Sequence, residues 1–200
     1  MTVTQLTGDD FAAHLPALAD LLVDAVADGA SVGVLAGFDH AAATAWWRSR
    51  AGAVADGSLA VWISTGPAGV TGTISLAYAD KPNARHRAEV IKLAVRRDAR
   101  GQGLGRRLLA AAEEAAAASG ITLLLLDTET ASAAERLYES AGWHRYGIVP
   151  GYAADPAGEL QDCSFFYKKL EKTSAQSSLM LTTVQPSVRA RSSARSAPAV

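Results

Sequence analysis

VIKLAVRRDARGQGLGRRLLAAAEEAAA, residues Val90–Ala117, is the stretch on which the fold turns. Val90, Ile91, Leu93 and Val95 supply the β-branched and apolar content of a buried strand. Gly101, Gly103 and Gly105 follow close together. From Leu104 onward, alanines, leucines and Glu113–Glu114 are strong helix formers, and Leu104, Leu108, Ala111 and Ala115 recur near helical spacing. The reading is strand, glycine-rich turn, helix. Glycine at a helix start allows positive φ and a close approach of the main chain to a ligand. The unpaired N–H groups of the first helical turn and the helix dipole then attract an anion. The stretch predicts a phosphate site. A Walker loop needs Gly-Lys-Ser/Thr, but Gly105 is followed by Arg106 and Arg107. A dinucleotide fingerprint begun at Gly101 needs glycine where Arg106 stands. What remains is Arg100-x-x-Gly103-x-Gly105.

Two hundred residues suit one domain with a sizeable core. Hydrophobic content of 49% and charged content of 20% fit a globular protein. The net charge of −1 is uneven, with −4 on residues 1–170 and +3 on residues 171–200. An acidic body argues against nucleic acid as a partner. The single Cys163 forms no internal disulfide and suits a reducing, cytoplasmic compartment. MTVTQLTGDD lacks the basic start and apolar run of a signal peptide, and no run of about 18 apolar residues implies a membrane span.

Outward from the central stretch, Val3–Leu6 reads as a short strand, and Thr7 or Asp9 as the cap of a helix through Val26. Pro16 predicts that the first turns of that helix are kinked or separate. Asp39 caps a second predicted helix to Val54, with Trp46 and Trp47 mid-way. Either both indoles pack in the core, the plainer reading, or one faces a cleft. Ser58–Ser64 and Gly69–Ala79 form a hairpin around Gly66-Pro67-Ala68-Gly69, and Arg85–Val95 is the central strand. Gly120 closes the following helix, and Ile121–Asp127 reads as a strand buried on both faces. Ala131–Ala141 is a helix, Trp143–Val149 a strand, Pro150–Gly158 a loop and Asp162–Leu170 a final strand. Glu171–Val200 is rich in Ser, Ala, Pro and Arg without periodicity, which predicts a disordered tail behind a domain of residues 1–170.

Arg100-x-x-Gly103-x-Gly105 resembles the pyrophosphate loop of the GNAT family of N-acetyltransferases. Ala134, Leu137, Tyr138, Gly142 and Trp143 are similar to that family's Asn-x-x-Ala-x-x-Leu/Phe-Tyr-x-x-x-Gly-Phe stretch, with Ala131 standing where the asparagine usually is. The order of elements matches the family over residues 2–170. The resemblance implies an α/β fold with a mixed, mostly antiparallel central sheet flanked by helices. It implies acetyl-CoA as co-substrate and no metal. Main-chain groups of Leu93, Ala94 and Val95 would pair with the pantetheine arm. Those of Arg100, Gly101, Gln102, Gly103, Leu104, Gly105 and Arg106 would receive the pyrophosphate. Arg100 either adds charge or braces the loop, and Lys92 and Arg96 read alternatively as solvated strand-edge residues.

Acetyl transfer needs a neutral amine, so a general base is expected. Glu89 opens the central strand and Asp127 ends the next one; each is either a base or a structural carboxylate. A carboxylate behind five apolar residues needs a specific partner if it is buried. Tyr138 falls where the family places the acid for the thiolate, and is otherwise core packing. Asp28-Gly29-Ala30-Ser31-Val32-Gly33, Lys81-Pro82-Asn83, Arg87-Ala88-Glu89-Val90, Leu126-Asp127-Thr128-Glu129 and Pro150-Gly151-Tyr152 are similar to segments of the tabtoxin-resistance acetyltransferases within that family. That resemblance implies that Glu89 and Asp127 jointly activate the substrate amine, and that Ser31 and Tyr152 border the acceptor pocket. The acceptor would be an amino acid or β-lactam toxin or antibiotic, in a monomer or homodimer. The alternatives are a protein N-terminus as acceptor, or a module that binds acetyl-CoA without transferring acetyl.

Overall fold

The computed structural model describes residues 2–67 and 69–171. Its elements run β1 (Thr2–Gln5), α1 (Gly8–Ala27), α2 (His40–Arg48), α3 (Ala51–Ala55), β2 (Leu59–Gly66), β3 (Gly69–Tyr78), β4 (Arg87–Val95), α4 (Leu104–Ala118), β5 (Leu123–Glu129), α5 (Ala133–Ser140), β6 (His144–Ala154) and β7 (Leu160–Lys169). The strands form one seven-stranded sheet in the order β1-β2-β3-β4-β5-β7-β6. Every pairing is antiparallel except β4 with β5. Ala68 of the expected hairpin turn and the tail from residue 172 onward lie outside the described residues.

Alternation along the strands builds a core on each face. Ala60, Trp62, Ile74, Leu76, Ala88 and Val90 pack with Leu108, Leu109, Ala112 and Ala116 of α4. Leu59, Val61 and Ile63 pack with Phe11, Leu15, Leu18 and Leu22 of α1 and Trp47 of α2. Burying a Leu, Val or Phe side chain contributes roughly 1.5–3 kcal/mol each, so these two layers hold the sheet between its helices.

Four expectations are corrected by packing. First, α1 is one helix through Pro16, not separate turns; its apolar face is buried along its whole length, which outweighs the one main-chain bond that proline cannot donate. Thr7 is its cap, in a reciprocal capping box with Asp10. Second, the helix expected from Asp39 to Val54 breaks into α2 and α3. Asp39 caps it as expected, but Ser49 Oγ donates back to the Trp46 carbonyl at 2.7 Å and competes with the helical ladder. Third, β5 is buried on one face only: Leu124 and Leu126 are covered while Asp127 is exposed. Fourth, Pro150-Gly151-Tyr152 is part of β6, which continues to Ala154 through a register shift opposite β7. Pro150 is tolerated there because β6 is the sheet edge.

A buried carboxylate fixes the turn from β5 into α5. Glu135 is 6% exposed. Its Oε2 accepts from the Ala131 N–H at 2.6 Å, and its Oε1 accepts from Ser164 Oγ at 2.6 Å and Arg145 Nη1 at 3.0 Å. Ala131 has φ +63°, a strained value for alanine that these bonds hold in place. Hydrogen bonds to the ionised form, Ser164 foremost, keep Glu135 below the usual carboxylate range. Its contribution is therefore present above the unfolded value near 4.5 and is lost as pH falls through the lowered one. Glu135→Gln, which turns one acceptor into a donor, should destabilise the fold by ~1.5–3 kcal/mol at pH 7, with the deficit shrinking below about pH 4. Urea unfolding at several pH values checks this.

Candidate active site

The site begins where two parallel strands part. β4 and β5 pair only at Arg87↔Leu123, Ala88↔Leu124 and Glu89↔Leu125. Beyond that point β4 runs on to Val95 and β5 to Glu129 without pairing. The register of β3 against β4 shifts between Thr73↔Ala94 and Ser75↔Ile91, so β4 holds one more residue than its partner. Lys92 lies in this bulge with φ +54°. A bulge sharpens the local twist, and here it carries the end of β4 away from β5. The stretch Leu93–Val95 therefore has β3 on one edge and no strand partner on the edge toward β5.

The glycine loop follows that edge. Gly101 and Gly103 have φ of +75° and +73°, and Gly103 is the N-cap of α4 without any side-chain cap. A Cβ at either would meet open space, so what glycine provides there is the left-handed backbone. The first-turn amides of α4 are left to face the loop. Gly105 differs: a Cβ there would lie 3.1 Å from Leu137 Cδ2, so this glycine lets α4 pack on α5. The arginines brace. Arg100 Nε donates to the Val95 carbonyl at 3.1 Å, and its Nη1 is paired with Asp28. Arg106 donates to the Ser140 carbonyl at 3.2 Å and to Ser140 Oγ at 2.7 Å. Of the two roles expected for Arg100, bracing is the one formed.

Glu89, the last residue of β4 that pairs with β5, and Asp127, two residues past that point, are exposed at the mouth of the split. Both belong to the α1–α2 side of the sheet, opposite the buried Ala88, Val90, Leu124 and Leu126. The partner expected for a buried Asp127 is thus not required by burial. Its charge is met instead by Lys92, which opposes the upward pull of partial desolvation on the carboxyl. Desolvation, then the neighbouring Asp127, raises Glu89. Tyr138 lies on the other side of the split, 5% exposed against Trp143 and Phe166. Burial, and then Asp127, pushes its phenol above the ordinary value of 10.0. Tyr152 is 52% exposed, stands edge-on to Phe165 and is raised chiefly by Asp127. Ser31 Oγ donates to the Ala154 carbonyl at 3.3 Å, so the loop before α2 reaches β6.

The residues at Glu89, Asp127, Tyr138, Tyr152 and Ser31 therefore gather around one opening. A cavity of about 400 Å³ near Tyr78, Arg85 and Ser119 lies at the opposite end of the sheet and takes no part. Among the described residues no group of three or more His, Cys, Asp or Glu is placed to hold a metal ion. Nor is any helix among them long and apolar enough to cross a membrane.

Residues 19–143 match the family model of the Acetyltransferase (GNAT) family. The chain belongs to that family. Solved structures of GNAT acetyltransferases share its fold. The ribosomal-protein-alanine N-acetyltransferase of Brucella melitensis is 26% identical, covering 85% of this chain and 100% of its own, with a TM-score of 0.65. A phosphinothricin acetyltransferase of Sinorhizobium meliloti, solved with acetyl-CoA, is 18% identical over 88% of this chain and 92% of its own, with a TM-score of 0.69. An N-acetyltransferase of Staphylococcus aureus Mu50 is 16% identical over 86% and 100%, with a TM-score of 0.70. The mixed, mostly antiparallel sheet flanked by helices is the GNAT fold. The protein is an acetyl-CoA-dependent GNAT acetyltransferase acting on amines. The open edge of β4 and the uncapped start of α4 fit the long, anionic donor that this activity needs.

Sequence reasoning left Lys92 and Arg50 out of the site. Lys92 is half-buried, not a solvated edge residue, and its Nζ lies 4.9 Å from the Trp46 ring centroid. The Arg50 guanidinium lies 4.5 Å from the same centroid. Trp47 is in the core, with its Nε1 donating to the Leu18 carbonyl at 3.0 Å, while Trp46 turns toward the cleft. One signal was available for Lys92. Val90 packs on the α4 side, and so do Leu93 and Val95; that change of parity implies an extra residue between them.

The two raised carboxyls carry a stability consequence. The folded chain holds their protons more tightly than the unfolded one, so stability falls as pH rises from about 4 through the raised values. Glu89→Gln and Asp127→Asn should therefore each raise the melting temperature at pH 7, by about 1–3 °C. The gain should vanish toward pH 4, where the wild-type carboxyls are protonated. Thermal scans at pH 4 and pH 7 decide it.

Proposed function

We propose that this acetyltransferase acts on the amine of a small molecule, with Glu89 and Asp127 as the proton acceptors. The observation that carries this reading is that both carboxyls sit on one face of the sheet, one from each strand at the mouth of the split, each raised by partial desolvation. A carboxyl nearer neutrality is the better base at pH 7. The charge of Asp127 raises Glu89 further, against the opposing pull of Arg87. An α-amine of pKa about 8 costs only ~1–1.5 kcal/mol to deprotonate at pH 7, so a base of this strength suffices.

Acetyl-CoA supplies an acetyl thioester. The main-chain groups of Leu93, Ala94 and Val95 hold its arm along β4, and the amides from Gly101 to Arg106 hold its pyrophosphate at the start of α4. Arg100 keeps this loop in shape through Val95 and Asp28. The amine gives its proton to the Glu89–Asp127 pair as the carbon–nitrogen bond forms and the carbon–sulfur bond breaks. Tyr138 faces the leaving thiolate from the α5 side. Its phenol lies above the ~8.5 of an ordinary thiol, so complete proton transfer from tyrosine to sulfur runs uphill. Tyr138 therefore donates a hydrogen bond to the developing thiolate, and the amine's proton ultimately neutralises it.

Ser31 and Tyr152 border the acceptor. The segments that resemble those of tabtoxin-resistance acetyltransferases support an amino-acid or β-lactam acceptor and a detoxifying role in the cytoplasm. A ribosomal-protein-alanine N-acetyltransferase among the structural neighbours supports a second reading, a protein N-terminus. Ser31 bonded to Ala154 narrows the acceptor side and favours the small molecule.

Thiol release from acetyl-CoA, measured across amino acids, β-lactams, polyamines and N-terminal peptides, should find turnover in the first two classes. Turnover confined to peptides would overturn the small-molecule reading. Glu89→Gln and Asp127→Asn should each lower kcat by ~10²–10⁴ at pH 7 and recover part of it as pH rises. Rates near wild type would remove the base assignment. For the donor, Gly103→Val should weaken acetyl-CoA at least tenfold, ~1.4 kcal/mol, in calorimetric titration. Unchanged affinity would remove the pyrophosphate loop from the site.

A further inference from the structure

Lys92 is an unusual residue to find inside a cleft. The bulge in β4 turns it, with φ +54°, out of the alternation of its strand. Its side chain then crosses to the loop between α1 and α2, where Nζ donates to the Val32 carbonyl. The approach is close: a Cβ on Gly33 would lie 3.3 Å from that nitrogen. Below the ammonium lies the Trp46 ring, with Arg50 against the same indole. The loop is also tied on its far side. Ser31 Oγ donates to the Ala154 carbonyl, and the Ala36 N–H donates to the Pro156 carbonyl at 2.7 Å. It thus spans from β4 to the β6–β7 hairpin, over the mouth of the split. On the β4 side, the side-chain bond to Val32 comes from Lys92 alone among the described residues.

We propose that Lys92 is a positioning residue of the acceptor site, clasping the loop of residues 29–38 over Glu89 and Asp127 through Val32 and Trp46. The proposal rests on the carboxylate pair being the acceptor end of the cleft. Lys92 has a second effect, through charge. The titratable and charged groups around this point are Arg87, Glu89 and Lys92 from β4, Asp127 from β5, Tyr138 from α5, Tyr152 from β6, Cys163 from β7 and Arg50 at the N-cap of α3. Lys92 favours the ionised form of Asp127, and burial, then Arg50, weakens its own hold on a proton. Without the ammonium, Asp127 would rise, and the acidic limb of the pH–rate profile would move with it.

Lys92→Met keeps the length and packing of the stem and removes the donor and the charge. Hydrogen exchange of the loop amides, read in the free protein, should speed up at least tenfold in residues 29–38, while α4 and β7 stay unchanged. In steady-state kinetics the acceptor KM should rise at least tenfold, and the acetyl-CoA KM should stay within about twofold. The acidic limb of kcat/KM should move to higher pH in Lys92→Met and return toward its original place in Lys92→Arg, which restores the charge. Loop exchange unchanged from wild type would overturn the clasp, whatever the acceptor proves to be. Acetyl-CoA KM rising in step with acceptor KM would overturn it as well, since the residue would then be supporting the donor strand. Because the exchange measurement needs no substrate, a wrong acceptor class leaves it standing and fails only in the acceptor panel.

Discussion

The parting of β4 from β5 is the constraint on which the rest depends. Parallel strands in a continuous sheet satisfy each other's main-chain groups, leaving nothing for a ligand. Here one extra residue in β4 ends the pairing after Glu89↔Leu125. That single insertion opens a wedge in the middle of the sheet. It frees an edge of main chain for the donor, and brings a carboxylate from each strand to the rim. It also points a lysine across the gap. The helices on the two faces remain fully packed, so the opening is held by a rigid frame.

Electrostatically the site works against the fold around it. Two carboxyls share a rim, each partly desolvated, with Arg87 of β4 acting on Glu89 and Lys92 of β4 on Asp127. Elsewhere charge is arranged for stability. Glu135 has three donors, and Glu113 accepts from Trp143 Nε1 and Lys168 Nζ, each at 2.7 Å. The contrast separates carboxylates held by donors in the fold from the raised pair at the split. Carboxyls raised by desolvation are expensive to keep, and a functional site is where that expense is tolerated.

Much of this was legible beforehand, because the decisive signals are local. The three glycines, the alanine-rich helix and the alternation in the hairpin strands each act within a few residues, and the structure follows them. Glu89 and Asp127 stood out because the one opens the central strand and the other ends the next, and both lie near the point where those strands part. The misses share a different cause. Pro16 was outweighed by tertiary burial of α1, and the α2–α3 break depends on Ser49 turning back onto the helix. Glu135 carries a partial signature, since Ser132-x-x-Glu135 reads as a capping box; Ser132 caps α5, but the carboxylate reaches past it to Ala131. Lys92 depends on a register shift between strands, and only the parity of Val90 against Leu93 hinted at it.

The two sides of the opening are anchored differently. On the glycine-loop side, Gly105 packs against Leu137, and Arg106 is bound to Ser140, so α4 is tied to α5. The acceptor side is roofed by a loop whose far end is fastened to the tip of the β6–β7 hairpin by Ser31–Ala154 and Ala36–Pro156. The Ala36–Pro156 fastening is main chain to main chain, which any residue but proline supplies, whereas the other needs the Ser31 hydroxyl. Side chains along the roof other than Ser31 can therefore be exchanged without losing either fastening, provided both ends keep their backbone paths. Retargeting this enzyme to another amine is then a matter of grafting loop and hairpin tip together as a cassette, onto a donor platform that need not change.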